Sequence, residues 1–216
     1  MAIFYTKKEE RINWISHAAG VVLALTAGIL LLVYACMHNH GWAQCGIWLY
    51  MAGMLGSYLS STLYYACPQQ SRWREPLRRL DHAAIYWHIA GSYSPITLVA
   101  LRAQGAWGWA LFGFQWGAAL LGTMLSLRKL REHSHFETLC FVLMGLLVLL
   151  AIQPLFEVVK AEAIVWLAAE GVCYLTGAVC YTLHHRRYMH SVFHFLVLAG
   201  SVCHIVAVWD MLRVML

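Results

Sequence analysis

Two histidines four residues apart, in His190-Ser191-Val192-Phe193-His194, are the residues of this chain whose types and spacing point most directly to chemistry. On a helix, positions i and i+4 share one face about a turn apart, so both imidazoles reach a common point. Such a pair either supplies two nitrogen ligands to a borderline metal such as zinc or ties its helix to its neighbours by hydrogen bonds. Two ligands fall short of a catalytic zinc site, which takes three protein groups plus water. The pair sits in an apolar run long enough to cross a bilayer, and imidazoles in such helices face a bundle interior, where they bind or relay something. His204 follows His194 by ten residues, about 15 Å along a straight helix, so it is expected to pack against another span rather than complete the pair.

The elements that must position these groups follow from composition. The chain is 61% hydrophobic and only 12% charged, about half the charged fraction of a soluble domain, and this implies an integral membrane protein. Seven apolar runs stand out, over 14–37, 42–66, 83–101, 106–127, 137–156, 162–183 and 190–212. Each is continuously apolar rather than alternating, which favours helices over a β-barrel. The expectation is one all-α membrane domain over 1–216, a seven-helix bundle with short connections and no linker or repeat. Small residues at Gly53, Gly56 and Ser57, or at Ala199, Gly200 and Ser201, are candidate helix contacts.

The net charge of +5 is a topology signal, not a nucleic-acid footprint. Lys7, Lys8 and Arg11, then Arg72, Arg74, Arg78 and Arg79, then Arg128, Lys129 and Arg131, then Arg186 and Arg187 fall on one side; Arg102, Lys160 and Arg213 fall on the other. The positive-inside rule then puts the N-terminus in the cytoplasm and the C-terminus outside. The seven cysteines are scattered, without a C-x-x-C pair, and read as small core residues. The run from Trp14 is too long for the apolar region of a cleaved leader, so a retained first span is expected. Trp14, Trp42, Trp107 and Trp209 read as interfacial anchors.

With that topology, His17 opens span one, Ser61 and Tyr65 end span two, Asp81 and His82 open span three, and His190 and His194 open span seven, all in the inner leaflet. Each has a plainer alternative. Asp81 caps its helix, pairs with Arg78 or Arg79, or holds a metal-bound water as general base; Ser61 bonds its own backbone. Glu170, near the middle of span six, relays protons or binds a ligand, or else is merely partnered by a serine or tyrosine. His38, His40, His133 and His135 read as solvated loop residues.

Four segments carry a family likeness: Glu10-Arg11-Ile12-Asn13-Trp14-Ile15-Ser16-His17, Ser60-Ser61-Thr62-Leu63-Tyr64, Leu80-Asp81-His82-Ala83-Ala84-Ile85-Tyr86 with Ala90-Gly91-Ser92-Tyr93-Ser94-Pro95, and His190 to His204. In this order the chain resembles the hemolysin III family of bacterial membrane proteins, relatives of the progestin and adipoQ receptors and, more distantly, of alkaline ceramidases. The resemblance implies a multi-pass protein of the bacterial inner membrane, in contact with membrane lipids, with a zinc site in the inner leaflet. It carries over His190 and His194 as zinc ligands, Asp81 as the holder of a metal-bound water and Ser61 as its neighbour. It also implies a metal-dependent hydrolase acting on a lipid-like amide or ester, with Asp81 as base and Ser61 steadying the oxyanion. A sensor, transporter or membrane-energetics homeostasis protein is the non-enzymatic alternative. This sequence departs at the third ligand, where the family's S-x-x-x-H reads Ser61-Thr62-Leu63-Tyr64-Tyr65. Tyrosine ligates only as phenolate, which is costly near neutral pH. Three outcomes follow: Tyr65 ligates anyway, Asp81 or His17 moves in, or the site is weakened or empty.

Overall fold

The computed structural model describes residues 5–128, 135–183 and 185–216. Lys129, Arg131 and His133, assigned above to an inner loop, lie outside the described residues, as does the side chain of His135. Among the described residues the chain is all-helical. The helices are α1 (Lys7–Met37), α2 (Gly41–Ala66), α3 (Arg74–Pro95), α4 (Trp107–Leu127), α5 (His135–Leu146), α6 (Ile152–Val158), α7 (Ala161–Thr182) and α8 (Met189–Met215). A π-helical turn, Ile96–Ala100, extends α3, and a 3₁₀ turn, Leu147–Ala151, joins α5 to α6. This gives seven rods, of which five are long and apolar enough to cross a membrane. The other two are α2 and α3.

The rods match the apolar runs closely except at two starts: α1 begins at Lys7 rather than near residue 14, and α3 begins at Arg74 rather than near residue 83. The two extra turns of α3 are polar. Glu75 accepts from Arg78 Nε at 2.9 Å and from Arg79 Nε at 3.0 Å, the i,i+3 and i,i+4 spacings that support a solvated helix. The Arg78 guanidinium, seconded by Arg79, holds the Glu75 carboxyl down to about 2. Their pairing is therefore present above the ordinary carboxylate range and is lost only as pH falls through that value. One consequence is a correction: Asp81 lies two turns inside α3 and does not cap it. Arg78 and Arg79 pair with Glu75 at 2.9 and 3.0 Å.

Packing runs α1 on α2, α2 on α3, α3 on α4 and α5, α5 on α7, α7 on α8, and α8 back on α1. This ring encloses an interior, with α4 outside against α3. Alpha-helices 2 and 3 approach most closely because Gly53 faces the backbone carbonyl of Trp87 and Gly91 faces that of Leu49; a Cβ at either position would enter the opposing backbone. Gly200 seats the Tyr174 ring. Gly56, the other glycine proposed for α2, has open space in front of it. Where the α5 ladder breaks, the Tyr93 hydroxyl donates to Gly145 O at 2.7 Å and accepts from Val148 N at 2.8 Å. It thereby replaces the lost backbone bond inside an apolar surrounding.

Several loops share one end of the bundle. Arg74 Nη2 meets Glu10 Oε1 at 2.5 Å, Tyr188 N donates to Glu9 Oε1 at 2.8 Å, and Arg79 Nη1 donates to Leu127 O at 3.3 Å. The starts of α1, α3 and α8 and the end of α4 therefore lie together. Trp14, Trp42, Trp107 and Trp209 are all more than a third exposed, as expected of side chains at a membrane boundary. All seven cysteines are free thiols.

The α2–α3 contact gives a direct test. Gly53→Val should cost about 1–3 kcal/mol by overpacking, read as a lowered unfolding midpoint in detergent, whereas Gly56→Ala should leave the midpoint within about 0.5 kcal/mol of the starting protein.

Candidate functional site at the loop-rich end of the bundle

Four elements meet below the loops that join Glu10 to Arg74 and Glu9 to Tyr188. Helix α1 turns one polar face inward, with Glu9, Asn13, Ser16, His17 and Gly20 all buried. These positions recur at helical spacing, so one stripe carries them all. Its start is fixed by a capping box between Thr6 and Glu9, in which Glu9 Oε2 also accepts from Thr6 N at 2.9 Å. Because Glu9 then reaches Tyr188 N, the same carboxylate ties α1 to the start of α8. Tyr188 adopts a left-handed backbone there, at φ 63°.

On α8, His190 and His194 are both buried, with ring centroids 4.9 Å apart. The pair does share a face. His190 Nε2 lies 2.5 Å from Tyr65 Oη, which comes from the last turn of α2. His194 Nδ1 lies 3.2 Å from Asn13 O and 3.3 Å from Ser16 Oγ. With the proton on Nδ1, His194 donates to that carbonyl and keeps Nε2 as an acceptor. Ser191 Oγ donates to Asn13 Oδ1 at 2.7 Å, closing the α1–α8 seam. The His17 ring stacks on His194 with centroids 3.7 Å apart, and both of its nitrogens are buried without a hydrogen-bond partner.

Tyr5 closes the site from the N-terminal side, its ring 5.0 Å from that of His190 and 5.9 Å from that of Tyr65. Burial pushes its phenol pKa up, so it stays neutral. Asp81 of α3 is buried at the same end. Ser61 of α2 is buried beside it, and His82 Nδ1 stands 3.8 Å away. The backbone bonding expected of Ser61 is made instead by Ser60 and Thr62, to Ser57 O and Tyr58 O.

The structure thus brings together His17, Ser61, Tyr65, Asp81, His190 and His194. It leaves His38 and His40 at the other end, as expected of loop residues, although His40 Nδ1 accepts from Ala43 N at 3.1 Å and caps α2. His204 packs on another helix, its Nδ1 2.7 Å from Glu170 of α7; the partner of Glu170 is therefore an imidazole, not the serine or tyrosine considered from the sequence. Sequence reasoning gave no role to Tyr5, Glu9 and Ser191, used Arg74 only as a topology charge, and met Asn13 only within a family segment. The helical spacing of Glu9, Asn13 and Ser16 was the available signal for three contact residues on α1.

The donor set can be tested against a resident zinc ion. Among the described residues no three His, Cys, Asp or Glu side chains converge as a ligand cluster. The third position is a phenol, and its hydroxyl takes up His190 Nε2. The residues as arranged do not fit a three-ligand zinc site.

Comparison with known proteins covers nearly the whole chain. The family model described as Haemolysin-III related matches residues 5–205. Hemolysin-3 of Bacillus cereus is 34% identical over 194 residues, 90% of this chain and 87% of the relative. The Hemolysin-3 homolog of Bacillus subtilis (strain 168) is 30% identical over 197 residues, 91% of each chain.

If the α1–α8 seam holds the site together, Asn13→Ala should cost about 0.5–2 kcal/mol, because it strips the acceptor from the buried Ser191 hydroxyl. Thermal unfolding of the purified protein checks this, and the double variant Asn13→Ala/Ser191→Ala, which removes donor and acceptor together, should cost less than the sum of the two single changes.

Proposed function

The chain belongs to the haemolysin-III related family, and on that premise we propose a seven-span protein of the bacterial inner membrane whose inner-leaflet site has exchanged a third metal ligand for a phenol–imidazole hydrogen bond. The site is a ligand-binding one in a sensor or transporter, and zinc-dependent hydrolysis of a lipid amide or ester is weak or lost. The observation that carries this reading is Tyr65 Oη at 2.5 Å from His190 Nε2. A neutral phenol donating to that nitrogen consumes its lone pair, and making the phenolate instead is costly near neutral pH. His17 supports the binding role, since its two unspent nitrogens border the site and a buried polar atom without a partner is costly. The ligand that fits is the polar head of a membrane lipid or a lipid-like molecule, reached from the inner leaflet.

Orientation rests on the same end of the bundle. The basic residues around Arg74, Arg79 and Arg187 share it with the start of α1, which supports a cytoplasmic N-terminus. An odd number of spans then leaves the C-terminus outside. A C-terminal alkaline phosphatase fusion is expected to be active and a C-terminal green fluorescent protein fusion dark; the reverse pattern contradicts the topology.

Metal content tests the site. After zinc loading and desalting, the purified protein should hold well under one zinc per chain, and Tyr65→His should raise this severalfold in a manner abolished by His190→Ala. Stoichiometric zinc in the unaltered protein, lost in a His190→Ala/His194→Ala variant, contradicts the proposal.

A further inference from the structure

Deeper in the bundle, a second group of polar side chains has no part in the site just described. His204 of α8 is 2% exposed, His88 of α3 is 7% exposed and Tyr50 of α2 is fully buried. Each carries a buried polar atom without a hydrogen-bond partner: His204 Nε2, His88 Nε2 and Tyr50 Oη. Three unspent atoms from three helices are hard to accommodate in an apolar interior, where each costs on the order of 1–3 kcal/mol. They are also neighbours. The Tyr50 ring meets the His204 ring edge-on at 4.9 Å, and the His88 ring faces those of Tyr58 and Tyr174 at 5.5 and 6.5 Å, the two tyrosines that bond Ser201 one turn from His204. On its other nitrogen, His204 bonds Glu170 Oε2 at 2.7 Å.

We propose that His204, Glu170, His88 and Tyr50 form a hydrated proton-binding site within the bundle, separate from the inner-leaflet site. The chemistry is a single proton transfer. With Nδ1–H donated to Glu170, neutral His204 presents the Nε2 lone pair to the interior. A proton delivered through water adds there, the water keeps its other bonds, and the imidazolium formed is held by the Glu170 carboxylate; release reverses the step. Tyr50 and His88 supply further hydrogen-bonding partners that a buried water needs. A carboxylate–imidazole pair is a proton site of the kind that membrane interiors retain at a cost when they use it.

The other ionisable groups facing this point are His17 of α1, which shares the Tyr58 ring with His88, Tyr58 of α2, Tyr93 of α3, Cys173 and Tyr174 of α7, and Cys203 of α8. Phenols and thiols remain protonated between about pH 5 and pH 8, so they stay neutral neighbours of the Glu170–His204 pair. A hydroxyl cluster lies one turn earlier on α8: Tyr58 Oη lies 2.7 Å from Ser201 Oγ, and Ser201 Oγ lies 3.2 Å from Tyr174 Oη. The inference does not rest on the reading of Tyr65 and His190.

The test is nitrogen NMR on histidine-labelled full-length protein in lipid nanodiscs, titrated between about pH 5 and pH 8. The His204 resonance is assigned by its loss in His204→Gln. It should pass from neutral imidazole to imidazolium within that range, and its midpoint should fall by about one unit or more in Glu170→Gln, where the carboxylate that holds the cation is gone. Tyr50→Phe, which keeps the ring packing, should also displace the midpoint and provides the assignment-free arm if His204→Gln does not fold. A His204 signal that stays neutral throughout, or a midpoint unmoved in both Glu170→Gln and Tyr50→Phe with unfolding temperatures unchanged, overturns the proposal.

Discussion

The structure depends on one constraint: a polar group buried in a bundle surrounded by lipid has no water to fall back on, so its partner must come from another helix. This explains why helix-to-helix ties in this protein are side-chain bonds at each depth. At the loop-rich end, Glu9 joins α1 to α8 and Arg74 joins α1 to α3. One step inward, Asn13 holds Ser191 and His194, and Tyr65 holds His190. Further in, Tyr58 and Tyr174 share Ser201, and Glu170 takes His204. Tyr93 applies the same rule to a broken backbone ladder between α5 and α6.

The same constraint separates what could be read from the sequence from what could not. The limits of α2, α4 and α7 fall within a residue or so of the apolar runs, since hydropathy reports lipid exposure directly. The beginning of α3 was missed because Glu75, Arg78 and Arg79 form a helix in a segment whose composition reads as loop. The depth of His190, His194, Ser61, Tyr65 and Asp81 was legible, because topology alone puts those helix ends at one level. Partner choice was not. Nothing in the spacing of Glu170 identifies His204 as its acceptor-to-donor match, and nothing around His190 says that Tyr65 meets it rather than a neighbouring helix backbone. Those pairings depend on helix rotation, which the ring of contacts sets.

Tyr65 is where local sequence and inherited architecture disagree most. The frame around it, from the capped start of α1 to the left-handed Tyr188 at the start of α8, holds two imidazoles as a metal-type site would. Into that frame the chain places a phenol, which is satisfied by donating one hydrogen bond and needs no ion. The buried, unspent nitrogens of His17, with Tyr5 Oη and Asn13 Nδ2, then carry bonding capacity that this bond does not use.

The Tyr65–His190 bond is therefore the interaction to measure, by a double-mutant cycle on unfolding free energy with Tyr65→Phe, His190→Gln and the combined variant. A hydrogen bond that closes the site gives a coupling of about 0.5–2 kcal/mol. Losses that add within about 0.3 kcal/mol mean the two side chains do not hold each other, and contradict the claim that a phenol–imidazole bond replaces the third ligand.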